Sequence, residues 1–138
     1  MPSPRKKFIS QNILSVFAGG LTSILLHFGL IYISRILFSS DAEPSEFVIA
    51  LILFIIPALI GGFVTRYFFA NTNLIHNILA AVVFMAGVIY PELSNIFIEI
   101  GISKQTEIFL LKIALIILFA AVLGGYISFR IKKRKPTA

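Results

Sequence analysis

Residues 8–34 contain no Asp, Glu, Lys or Arg, and neither do 47–65, 67–91 and 113–129. The last run extends back over Lys112 to Ile108. Each reaches or approaches the roughly 20 apolar residues that a helix needs to cross about 30 Å of hydrocarbon. Four such runs leave a chain of 138 residues no soluble core to build. Only 13% of the residues are charged, against about a quarter in a soluble domain. The runs lack the alternation of membrane strands, and helices satisfy their own backbone polar groups in lipid. The expectation is an all-α membrane protein, a four-transmembrane-helix bundle in one domain over 1–138, with helices near 10–36, 46–69, 74–97 and 107–130. Residues 8–30 follow Arg5, Lys6 and Lys7 like a signal peptide. The run is longer than a signal h-region and lacks a small-x-small cleavage site, so it reads as a retained first helix.

Charge sets the expected orientation. With the N-terminus inside, the cytoplasmic face holds Arg5, Lys6, Lys7, Arg66, Arg130, Lys132, Lys133, Arg134 and Lys135, nine of the twelve cations. The outer face then holds Arg35, Lys104, Lys112 and all six acids. Both termini are expected in the cytoplasm, of a bacterial inner membrane. The C-terminal run resembles a nucleic-acid patch in composition, but it directly follows an apolar helix. It reads instead as a positive-inside flank touching anionic lipid headgroups, with no nucleic-acid partner. Arg66, His76, Arg130, Lys132 and Lys133 are the candidate inner-face lipid contacts.

The loops fit this path. Residues 39–46 form a polar outer turn in which Pro44 opens the second helix. Residues 70–76 form an inner turn with Asn71 or Asn73 as helix cap. Residues 92–106 form a longer outer loop with room for an amphipathic segment on the surface.

The chain also reads as a repeat. Gln11-Asn12-Ile13-Leu14 is echoed by His76-Asn77-Ile78-Leu79 at an offset of 65 residues. Gly61-Gly62-Phe63-Val64-Thr65 is echoed by Gly124-Gly125-Tyr126-Ile127-Ser128 at an offset of 63, and an Arg follows each. Two tandem helical hairpins related by a parallel pseudo-two-fold would produce this pattern, unlike the inverted repeats of many transporters. The paired Gly-Gly-aromatic helix ends followed by Arg resemble those of small four-helix bacterial membrane proteins of uncharacterised function. That resemblance implies a helical membrane fold and no particular chemistry.

Small residues recur every fourth position: Ser15, Gly19 and Ser23 in the first helix, Ala58 and Gly62 or Gly61 and Thr65 in the second, Ala121 and Gly125 in the fourth. Together with Gly124, they are the candidate helix-packing residues. In lipid, close backbone approach supplies the attraction that hydrophobicity supplies in water. Packing within the bundle is the plainer use of these faces, and a dimer interface is the sharper one. Pro57 removes one backbone donor and is expected to kink the second helix just before Gly61-Gly62.

His27 lies one turn beyond Ser23 on the same face. An ionisable group at that depth faces the bundle or a cavity. The repeat offset puts Glu92 at the equivalent point, so a His27–Glu92 pair is one candidate intramembrane polar site. The alternative is a neutral His27 bonded to a backbone carbonyl or a hydroxyl of a neighbouring helix, with Glu92 among outer headgroups. Cysteine is absent, the two histidines are far apart, and no H-E-x-x-H, G-x-S-x-G or P-loop occurs. No metal, cofactor or enzymatic activity is expected. The leading function is a structural or accessory subunit that packs with itself or with a larger membrane complex. The competing function is a small oligomeric transporter or channel lined by His27 and Glu92.

Overall fold

The computed structural model describes residues 3–37, 51–69, 72–99 and 104–134, with side chains throughout except at 7–8, 51, 92–99 and 104–106. Among these residues the chain is all-helical. Helix α1 spans Pro4–Leu37. A π-helical turn at Leu51–Ile55 leads into α2, Ile56–Tyr67. Helix α3 spans Leu74–Glu99 and α4 spans Lys104–Arg134. Helices α1, α3 and α4 are long and apolar enough to cross a membrane, and the shorter apolar stretch is Ile52–Tyr67. The chain is a membrane protein. Its outer surface fits that solvent: Leu25, Tyr90 and Phe119 are each 72% exposed.

Helices α1, α3 and α4 outrun the lengths read from hydropathy. At 1.5 Å per residue, the 34 residues of α1 reach about 50 Å, well past a hydrocarbon core. The excess carries Arg5 and Lys6 at one end of α1, and at the far end of α4 it carries Lys132, Lys133 and Arg134. Charged residues continue a helix as readily as apolar ones, so hydropathy marks the lipid boundary and not the helix end. The expected outer loop over 92–106 overlaps the expected helix over 74–97, and in the overlap the structure has helix. Residues 92–99 continue α3 through Pro91, and α4 has begun by Lys104. The outer turn at 39–46, the helix start at Pro44 and the cap candidate Asn71 lie outside the described residues.

Helix α2 packs against α1 on one side and α4 on the other, and α3 closes the bundle against α1, α4 and α2. The core between them holds Ala58, Ala81, Phe84, Val88, Ile113, Ile117, Ala120 and Ala121. Alanines let the helices close in, while Phe84 and Ile117, both fully buried, fill the centre. Asn73 caps α3: its Oδ1 accepts from the Ile75 N–H at 3.1 Å, and its own N–H donates to His76 Nδ1 at 3.0 Å. These two bonds bind the first turn reciprocally, in the manner of a capping box.

Candidate functional site

The small-residue face of α1 is the seam onto α2. A Cβ added at Gly19 would lie 1.8 Å from Thr65 Oγ1 and 2.7 Å from the Gly61 carbonyl oxygen. One added at Gly61 would lie 1.8 Å from Ser23 Oγ and 2.6 Å from the Gly19 carbonyl oxygen. The two glycines thus let antiparallel backbones touch, and the hydroxyls one turn away fit over them. The structure assigns this face to packing inside the bundle.

Contact at that distance exposes backbone carbonyls to the neighbouring helix, and side chains use them. Ser23 Oγ donates to the Pro57 carbonyl at 2.9 Å and lies 3.1 Å from its own Gly19 carbonyl. Thr65 Oγ1 donates to the Gly61 carbonyl at 2.8 Å. One turn above Ser23, His27 Nδ1 lies 2.6 Å from the Leu53 carbonyl oxygen. A carbonyl only accepts, so Nδ1 carries the hydrogen.

Leu53 is special because of Pro57. In an α-helix its carbonyl would accept from the N–H four residues on, and Pro57 has none. The proline ring also crowds that carbonyl, and the chain just before it widens into the π-helical turn. His27 brings this carbonyl a donor from α1 in place of the N–H that Pro57 does not have. The distortion therefore lies on the N-terminal side of Pro57, and Gly61-Gly62 sits in regular helix. Tilting and crowding at Pro57 act on the preceding turn.

The imidazole is 1% exposed. Its ring centroid lies 4.9 Å from that of Phe54, 5.6 Å from Phe28 and 5.8 Å from Phe84. The apolar groove between α2 and α4 is lined by Ile55, Leu59, Leu115, Ile116, Phe119 and Leu123, without His27. Glu92 lies on α3, but its side chain falls outside the described residues, as would any His27–Glu92 pair.

Gly62 and Gly124 form the second seam. A Cβ on Gly62 would lie 2.0 Å from the Ala121 carbonyl oxygen, and one on Gly124 would lie 2.0 Å from the Leu59 carbonyl oxygen. Gly125 faces α3, where Asn77 lies against it. Asn77 is fully buried and its Nδ2 donates to the Ala121 carbonyl at 3.2 Å. Asn77 Oδ1, Ser128 Oγ and Asn12 Oδ1 are buried oxygens without a hydrogen-bond partner. The sequence reading grouped Asn77 with His76 as ordinary interfacial polar residues, whereas Asn77 is fully buried one turn into an apolar helix.

Near the C-terminal end of α4, Lys132 Nζ donates to the Arg66 carbonyl at 2.7 Å and to the Phe69 carbonyl at 3.3 Å. These groups close α2, whose final carbonyls lack helical donors and carry the negative end of the helix dipole. The Arg66 guanidinium lies over the Phe129 ring at 4.7 Å, and Arg130 lies 6.0 Å from the Tyr126 ring. Arg130 and Lys133 are exposed, while His76 is occupied with the α3 cap. Among the described residues no group of three His, Cys, Asp or Glu could hold a metal.

Comparison with protein-family models, with curated proteins and with solved structures finds no match to this chain.

Proposed function

We propose that the protein is a structural or accessory membrane subunit that crosses a bacterial inner membrane four times, with both termini in the cytoplasm. The observation that carries this reading is the closure around His27. The most polar deep residue is 1% exposed, its Nδ1 is committed to a backbone carbonyl, and aromatic rings flank it. A transport path needs its polar group open to water. Here the polar group holds two helices together. Exposed apolar side chains over α1 and α4 leave ample surface for a second copy or a larger membrane complex. Exposed Arg130, Lys133 and Arg134 rim the inner end and suit anionic headgroups. Matching helix ends support descent from a duplicated hairpin.

Two measurements test the proposal together. Native mass spectrometry from lipid nanodiscs is expected to find the 15.3 kDa chain in a larger assembly. Proteoliposomes are expected to pass no more ions or protons than empty vesicles. Flux that His27→Ala abolishes while assembly survives would replace the accessory reading with the transport one.

A further inference from the structure

Where Gly62 and Gly124 meet, the backbones of α2 and α4 touch. Toward the π-helical turn the two helices leave a groove of about 370 Å³ between them. Ile55 and Leu59 of α2 and Leu115, Ile116, Phe119 and Leu123 of α4 line it, all of them apolar. The α4 side of this groove continues in sequence beyond it. Ile116, Leu123 and Arg130 are spaced by seven residues, two helical turns, and so share one stripe. Phe119 and Tyr126 repeat the spacing beside them, and Arg134 follows Arg130 by one turn. Read toward its C-terminal end, the stripe is apolar, then aromatic, then cationic. The order is that of hydrocarbon, interface and headgroup, with Tyr126 at the level that amphipathic rings prefer. The Arg130 guanidinium lies 6.0 Å from the Tyr126 ring, so it leans back along the stripe toward the groove. Both arginines are exposed, and among the described side chains the one acid is Glu107, in the first turn of α4.

We propose that this face holds one anionic phospholipid, an acyl chain in the groove between α2 and α4 and its phosphate at Arg130 and Arg134. The lengths agree. Leu115 to Leu123 covers about 12 Å of α4, most of the roughly 15 Å depth of one leaflet's hydrocarbon. From Leu123 to Arg130 is about 10 Å more, which takes the chain out to its headgroup. The planar forks of two arginines one turn apart suit the paired oxygens of a phosphate. A partner helix would fill the groove equally well, but an apolar span brings the guanidiniums no anion. The inference rests on the reading of this end of α4 as a lipid contact, and it names the ligand and its seat.

The chain has no Trp, so a single introduced indole reports its own surroundings. Phe119→Trp places one at the groove, and Leu25→Trp places one on α1 as the control. Both positions are 72% exposed. Gly61 lies against Ser23 and Gly62 against Ala121, so Leu25 and Phe119, each two residues nearer the π-helical turn, sit at matching depth. Each variant is reconstituted in phosphatidylcholine nanodiscs containing a minor fraction of phosphatidylglycerol with brominated chains, which quench an indole on contact. Phe119→Trp is expected to lose several-fold more emission than Leu25→Trp, because the site concentrates the anionic lipid. Brominated phosphatidylcholine at the same fraction should quench the two alike. Arg130→Gln with Arg134→Gln should remove the excess at Phe119→Trp, whereas added inorganic phosphate should leave it, having no chain to seat. Equal quenching of the two indoles by the brominated anionic lipid overturns the site. An excess as large with brominated phosphatidylcholine overturns the phosphate contact. Weaker quenching at Phe119→Trp than at Leu25→Trp in both lipids means that protein covers the groove, and overturns the proposal in favour of a partner helix or second copy. Nanodiscs carry the anionic lipid in both leaflets and the indole reads one chain. A reversed orientation or a failed accessory role would therefore leave these outcomes unchanged.

Discussion

The pair α1 and α2 and the pair α3 and α4 are held in different ways. Along the α1–α2 seam Ser23 bonds the Pro57 carbonyl and His27 the Leu53 carbonyl, Thr65 bonds the Gly61 carbonyl within α2, and Asn12 Oδ1 on α1 goes without a partner. Counted by the 65-residue sequence offset, Phe84 and Val88 on α3 stand where Gly19 and Ser23 stand on α1, and both are buried apolar core. Ser128 stands where Thr65 stands, yet its hydroxyl has no partner, and Asn77 uses only its Nδ2. One seam is closed by backbone contact and directed bonds, the other by bulk. Bulk fills space without needing register, whereas a carbonyl must be met at one place. The glycine pairs show the same divergence. Gly61 faces α1 and Gly62 faces α4, but Gly124 faces α2 and Gly125 faces α3. A strict two-fold would set Gly124 against α3, so the packing departs from it here.

This contrast can be broken most forcefully at the glycines. Gly61→Leu drives a side chain into the Gly19 backbone, while Gly125→Ala meets only the movable end of Asn77. The first should cost at least about 3 kcal/mol and the second about 1 kcal/mol, measured by reversible unfolding in mixed micelles. Equal costs would mean that the seams are alike. Next in size is a matched pair of polar deletions. His27→Leu removes the donor of the Leu53 carbonyl and should cost about 2 kcal/mol. Asn77→Leu removes a half-used amide with an unpartnered oxygen and should change stability by under about 1 kcal/mol in either direction.

Smaller effects sharpen the picture. Thr65→Ala loses a bond and its fit over Gly19, about 1 kcal/mol, whereas Ser128→Ala should be neutral within about 0.5 kcal/mol. Lys132→Ala should have the least effect, about 0.5 kcal/mol, because one cation at a helix C-terminus contributes on that scale. Amide exchange at the end of α2 would locate it, and added salt should shrink the difference between native and variant.

Much of the architecture was legible beforehand. Uncharged runs located four helices, and the four-residue spacing of Ser15, Gly19, Ser23 and His27 marked one face that does pack. Asn73 as a cap followed from local chemistry alone. The same reading cut α1 and α4 short at their charged ends, because it took the loss of hydropathy for the loss of helix. At the site, two alternatives for His27 stood open: the carbonyl bond of one is present, and the Glu92 side chain that the other needs lies outside the described residues.

By itself, the sequence determined that this chain is helical, that its helices suit lipid, and that small residues line one side of α1. Those properties are local, written in composition and in a period of about 3.6 residues. Tertiary structure decided which carbonyl His27 meets, which neighbour each glycine admits, and which buried oxygens go without a donor. A proline removes its donor within its own helix, but the group that replaces it comes from another. The rotation of one helix against the next chooses that group, and no single helix carries that angle in its sequence.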